Sequence, residues 1–183
     1  RHVAAEHQRA APDGHGSRRC RGAWRAGRLG FERRRGRRRG LVIVGVHGGP
    51  PRDAALATFH TRWQADPLVL DKWFALQAAS GHPDTLERAL ALAQHPDFTL
   101  ANPNRARALL ATLGLRNQFH FHSKCGRGYA LLADQVIALD PSNPHLAARL
   151  VGAFNPWRRF DADRQQAMRG QLERIAGQPG LSR

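Results

Sequence analysis

The feature that most constrains this chain is a recurring pair, a short polar residue followed by proline. It stands at Asp66-Pro67 and Asn143-Pro144, and Asn102-Pro103 has the same form. Proline at the first helical position sacrifices no hydrogen bond, and the polar residue before it accepts from the free backbone donors of the first turn. The same pair stops a helix from running through, because the residue before proline is pushed out of the helical region. Beyond about residue 52 the chain is therefore cut into short helices by its own punctuation.

Between these stops, apolar residues recur at helical spacing. Ala54, Ala55, Leu56, Phe59 and Trp63 mark a first helix that ends near Asp66-Pro67. Asp66 caps a second, whose face is Leu68, Val69, Trp73, Leu76 and Gln77, with Trp73 expected to be buried. Asp84-Thr85-Leu86-Glu87 reads as a capping box, and Leu86, Leu90 and Ala93 continue that helix to His95-Pro96. Asn102 or Asn104 caps the next, which carries Leu109, Leu110 and Leu113 inward and stops at Gly114. Residues 114–127 read as a loop. Helix returns over residues 129–139, and Asn143-Pro144 opens another carrying Leu146, Leu150 and Val151 as far as Asn155-Pro156. Asp161 caps a last helix with Met168, Leu172 and Ile175, closed by Gly177. The expected fold is all-α, an irregular α-solenoid-like array of antiparallel helix pairs over residues 52–183.

Residues 1–51 are different. The first fifty hold 13 arginines, ten glycines and only three acids, including the run Arg33-Arg34-Arg35-Gly36-Arg37-Arg38-Arg39-Gly40. Most of the net charge of +15 sits there. Such a stretch buries too little apolar surface to offset its backbone entropy, so a disordered basic leader is expected. Its Arg, Gly, Ala and Pro content is also what GC-rich DNA gives when read out of frame, and a frameshift or a mis-annotated start is the favoured reading. The alternative is a genuine basic arm that holds nucleic acid through its phosphates, on a non-catalytic helical scaffold. Leu41-Val42-Ile43-Val44-Gly45-Val46 could form a strand, but it is far too short to span a bilayer.

Few residues carry recognisable chemistry. Cys20 and Cys125 make no metal-ligand spacing, and a reducing, cytoplasmic compartment is the expectation. The tight group Phe119-His120-Phe121-His122 would place both imidazoles on one face of an extended segment, with Cys125 as the only third ligand. Two phenylalanines anchoring a loop while the histidines stay solvated is the preferred reading, so no metal residues are assigned.

Four stretches carry a resemblance. They are the run from Asp66 to Gln77, His95-Pro96-Asp97-Phe98-Thr99-Leu100-Ala101-Asn102-Pro103-Asn104-Arg105, Asp140-Pro141-Ser142-Asn143-Pro144, and Arg158-Arg159-Phe160-Asp161. Together they resemble the C-terminal helical domain of bacterial aminopeptidase N, a zinc-dependent family, from about residue 52 onward. The family's catalytic chemistry needs His-Glu-x-x-His on a helix, and its amine recognition needs Gly-x-Met-Glu-Asn. Neither motif occurs in this sequence. The resemblance thus implies a fragment: a domain that caps the active site and lines the peptide channel, with no catalysis of its own. Zinc and the catalytic domain would belong to the rest of the parent protein. It also implies substrate-facing roles for Arg107, in Asn104-Arg105-Ala106-Arg107, and for Arg149, in Ala147-Ala148-Arg149. A guanidinium offers a planar fork of donors to peptide carbonyls and carboxylates. Peptide substrates are the expected partners, with no membrane, and nucleic acid is disfavoured.

Overall fold

The computed structural model describes residues 50–182, and every regular element among them is helical. The Arg-rich leader and the strand considered at residues 41–46 lie outside the described residues. Helix α1 spans Pro50–Trp63, α2 Pro67–Ala78, α3 Thr85–Leu92 and α4 Pro103–Ala106. A π-helix, Arg107–Arg116, continues directly from α4, and α5 spans Gln118–Phe121. Then follow α6 (Arg127–Leu139), α7 (Pro144–Val151), a 3-10 helix (Gly152–Arg159) and α8 (Ala162–Ala176). The expected all-α array is the observed architecture. Helix α2 packs on α1, α3 and most extensively on the π-helix, while α6 packs on α7 and α8.

Most of the expected N-caps act as their chemistry dictates. Asp66 is extended and its carboxylate accepts from the amides of Leu68 (3.0 Å) and Val69 (3.2 Å). Asn102, rather than Asn104, caps α4 by accepting from Asn104 (3.0 Å) and Arg105 (3.3 Å). Asn143 accepts from Leu146 and Asp161 from Arg164, each at 3.0 Å. The exception is Asp84. It stands at the N-cap of α3 but makes no capping bond with its side chain. Arg52 (3.2 Å), His82 (2.6 Å) and Arg88 (3.0 Å) engage its carboxylate instead. Glu87, the other half of the expected box, pairs with Arg127. Charged partners outcompete a backbone amide for the same oxygens.

Three further expectations need correction. The buried face of α2 is Leu70, Trp73, Phe74, Gln77 and Ala78, whereas Leu68 is 67 % exposed. Residues 70, 74 and 77 define the stripe, and Leu68 falls outside it. Gly114 does not end its helix, which continues to Arg116 and closes with the Asn117 amide on the Thr112 carbonyl at 3.0 Å. A Cβ at Gly114 would lie 3.2 Å from both Ala153 and Leu132, so this glycine permits close packing rather than termination. Finally, residues 114–127 are not simply loop, because they contain the end of the π-helix and all of α5. Asn117 explains that turn: it accepts from the His120 amide and donates to the carbonyls of Ala78 (2.8 Å) and Ser80 (2.9 Å).

The core lies where the π-helix, α5, α6 and the 3-10 helix meet. Phe121, Tyr129 and Phe154 are almost fully buried, with ring centroids 5.2–6.0 Å apart. Aromatic groups at that separation prefer tilted or edge-on contacts, which is the geometry here. Gly128 makes the approach possible, since a Cβ there would stand 2.8 Å from the Phe121 carbonyl oxygen. Trp73 is buried as expected, 7 % exposed, and its indole N–H donates to the Leu56 carbonyl at 3.0 Å.

Candidate functional site

Both residues singled out for substrate contact are exposed. Arg107 opens the π-helix, and its guanidinium donates to the Asn104 side-chain oxygen at 3.1 Å. Arg149 lies in the last turn of α7, where a cation is favoured by the helix dipole.

Arg105, two residues before Arg107, behaves differently. It is 5 % exposed, pairs with Asp71, donates to the Asp97 carbonyl and lies 5.2 Å over the Phe74 ring. The motif Asn104-Arg105-Ala106-Arg107 thus turns one arginine inward and the other outward, as a spacing of two residues on a helix requires. Sequence reasoning passed over Arg105. A buried arginine needs a carboxylate on a neighbouring element, and a linear sequence does not show that Asp71 supplies it.

The histidines of Phe119-His120-Phe121-His122 are each 5 % exposed, so they are not solvated. Phe119, expected to anchor the segment, is 64 % exposed. The cause is the helical turn α5: successive residues rotate around an axis, and strand alternation no longer applies. Among the described residues the two imidazoles do not join Cys125 in a group of ligand atoms. His122 stacks on Phe160 at 4.0 Å, with Nδ1 2.9 Å from the Tyr129 hydroxyl and Nε2 2.9 Å from the Gln118 side-chain oxygen. The Gln118 amide nitrogen is held by the Gly114 and Leu115 carbonyls, so its oxygen faces the imidazole. That oxygen can only accept, hence Nε2 carries the proton and Nδ1 accepts from Tyr129. Burial, with the nearby Arg164 charge, pushes His122 down to about 4, and burial pushes the Tyr129 hydroxyl up to about 12. His120 is likewise lowered, mainly by burial.

A second histidine group was not anticipated. His60 of α1 places Nε2 2.6 Å from Asp97 Oδ2, and His95 Nδ1 is 3.7 Å from the same oxygen. Their ligand atoms all lie within 4.8 Å of one another. The only sequence signal was the short spacing His95-Pro96-Asp97, since His60 joins through tertiary packing. His60, His95 and Asp97 do not reproduce the His-Glu-x-x-His pattern of the resembled family.

The comparisons agree on one family. The model of DUF3458_C, described as a domain of unknown function with ARM repeats, matches residues 37–183. Aminopeptidase N of Caulobacter vibrioides is 50% identical over 144 residues, covering 79% of this chain and 17% of the relative. Aminopeptidase N of Escherichia coli is 40% identical over 133 residues, covering 73% of this chain and 15% of that protein. A crystal structure of Legionella pneumophila aminopeptidase A in complex with aspartic acid superposes with a TM-score of 0.67 at 39% identity, covering 74% of this chain and 16% of the other. The chain therefore spans about a sixth of the length of the curated relatives it matches. It belongs to the DUF3458_C family of ARM-repeat domains, and the recognition of aminopeptidase N in its sequence stands.

Proposed function

We propose that this member of the DUF3458_C family is the C-terminal helical piece of a zinc metallo-aminopeptidase, capping the catalytic domain and lining the peptide passage. What supports this most is the identity to aminopeptidase N across most of the chain, joined to the small share of each relative that the chain covers. The folding unit in this reading is residues 52–183, and the partners are the parent's catalytic domain and its peptide substrates. Zinc would be held by that catalytic domain, and the compartment would be cytoplasmic. No helix among the described residues is long and apolar enough to cross a membrane. Catalysis by this chain alone is not expected, because the zinc-ligand and amine-recognition motifs are missing from its sequence.

Arg107 and Arg149 are the residues proposed to meet substrate. Both are exposed, which leaves their guanidinium forks able to engage a peptide carbonyl or a terminal carboxylate. In an aminopeptidase N carrying this domain, Arg107→Ala or Arg149→Ala should raise KM for tripeptides more than for single-residue amides. A lost charge-assisted bond of about 1.5–3 kcal/mol corresponds to a rise of roughly tenfold or more. Zinc content should not change. Unaltered tripeptide kinetics in both variants would return the two arginines to ordinary surface roles.

A further inference from the structure

We propose that His60, His95 and Asp97 form a site for a divalent first-row metal ion that clamps α1 to the segment leaving α3. Two imidazole nitrogens and one carboxylate oxygen are a donor set suited to Zn2+, Co2+ or Ni2+. An ion about 2.1 Å from each ligand sets tetrahedral ligand atoms roughly 3.4 Å apart. The contacts of 2.6 and 3.7 Å to the shared Asp97 oxygen bracket that spacing, so modest side-chain rotations bring the three together.

The surroundings favour this use of the residues. Asp97 needs a free carboxylate, and the nearest buried cation does not take it. Arg105 spends its charge on Asp71 and reaches only the Asp97 main-chain oxygen. The imidazoles are fixed by rings rather than by competing acids: His60 lies 4.8 Å and His95 5.4 Å from Trp73, and Phe74 closes on His95 at 6.0 Å. Loading would replace the His60–Asp97 contact at 2.6 Å and the Asp97 amide contact to His95 Nδ1 at 3.2 Å. Three ligands leave a coordination position for water, and the role inferred is a structural cross-link between residues 60 and 95. This inference rests on the geometry alone and stands independently of the aminopeptidase reading.

The test is a Co2+ titration of the complete 183-residue chain, followed by its visible d–d absorption, with Zn2+ as competitor. One saturable equivalent should bind, be displaced by Zn2+, and raise the thermal midpoint. H60A and the near-isosteric D97N should each weaken binding by about tenfold or more, while H145A, on the exposed surface of α7, should not. Far-UV circular dichroism checks that each variant is folded, and D97N decides if H60A is not. Absence of saturable binding, or undiminished binding by D97N, would overturn the site. The second outcome would place the metal on other histidines of the chain.

Discussion

The two ends of the array are held together by different chemistry. Around α1 to α4 an apolar core containing Leu70, Trp73, Phe74 and Leu92 is supplemented by charged pairs between elements: Arg52 with Asp84, Arg88 with Asp53, Arg105 with Asp71, and His60 with Asp97. Around α5 to α8 the centre is apolar, with Phe121, Tyr129, Phe154, Leu132, Leu150 and Met168 at 1 % exposure or less. Apolar contact is non-directional and tolerates small shifts. A buried ion pair fixes geometry but is costly to break, because the surviving partner is left charged and desolvated. The first region should therefore be sensitive to charge and the second to volume. His122 is the instructive exception, a polar group placed inside the apolar region and satisfied entirely by neutral partners.

The sharpest way to break this comparison is at Arg105. Arg105→Ala should destabilise the chain by about 2–4 kcal/mol, measured by urea unfolding, because Asp71, whose side chain is 13% exposed, is left unpaired in a largely desolvated position. Combining Arg105→Met with Asp71→Leu should recover much of that loss. If the single variant cost no more than the double, the pair would not be what holds this region.

Volume is the weak point of the other region. Gly128→Ala adds a methyl that meets the Phe121 backbone at 2.8 Å, where no flexible side chain can move aside. The expected cost is about 1–3 kcal/mol, despite alanine's better helix propensity. An unchanged or raised midpoint would show that α5 and α6 can separate freely.

The smallest effect at neutral pH belongs to His122, because its ring is already neutral there. Its folded value of about 4 lies below the usual 6.5, so the unfolded chain binds the proton more tightly between these values. Stability should be flat above about pH 6.5, then fall as pH drops from 6.5 toward 4. His120 and His95 are shifted in the same direction and share this slope. His122→Gln should make the fall shallower. An acid limb identical to that of the parent chain would remove His122 as its source.

What the sequence by itself determined is local or lexical. A cap residue and the proline after it act within one turn, so Asp66, Asn143 and Asp161 were legible as caps without any knowledge of neighbours. The helical spacing of Leu109, Leu110, Leu113 and Met168 marked residues that are in fact buried. The family was legible from contiguous words such as Asp66-Pro67-Leu68-Val69-Leu70-Asp71-Lys72-Trp73. Tertiary structure decided every question that turned on a partner far along the chain. Asp84 reads as a cap until Arg52, 32 residues away, claims its carboxylate. Arg105 and Arg107 are chemically equal until Asp71 is brought beside one of them. His120 and His122 read as solvated until α5 forms and buries them, and His60 meets Asp97 only across 37 residues. The physical reason is range. Backbone capping is settled within a few residues, whereas the solvation and charge state of a side chain depend on groups that only the folded chain brings near.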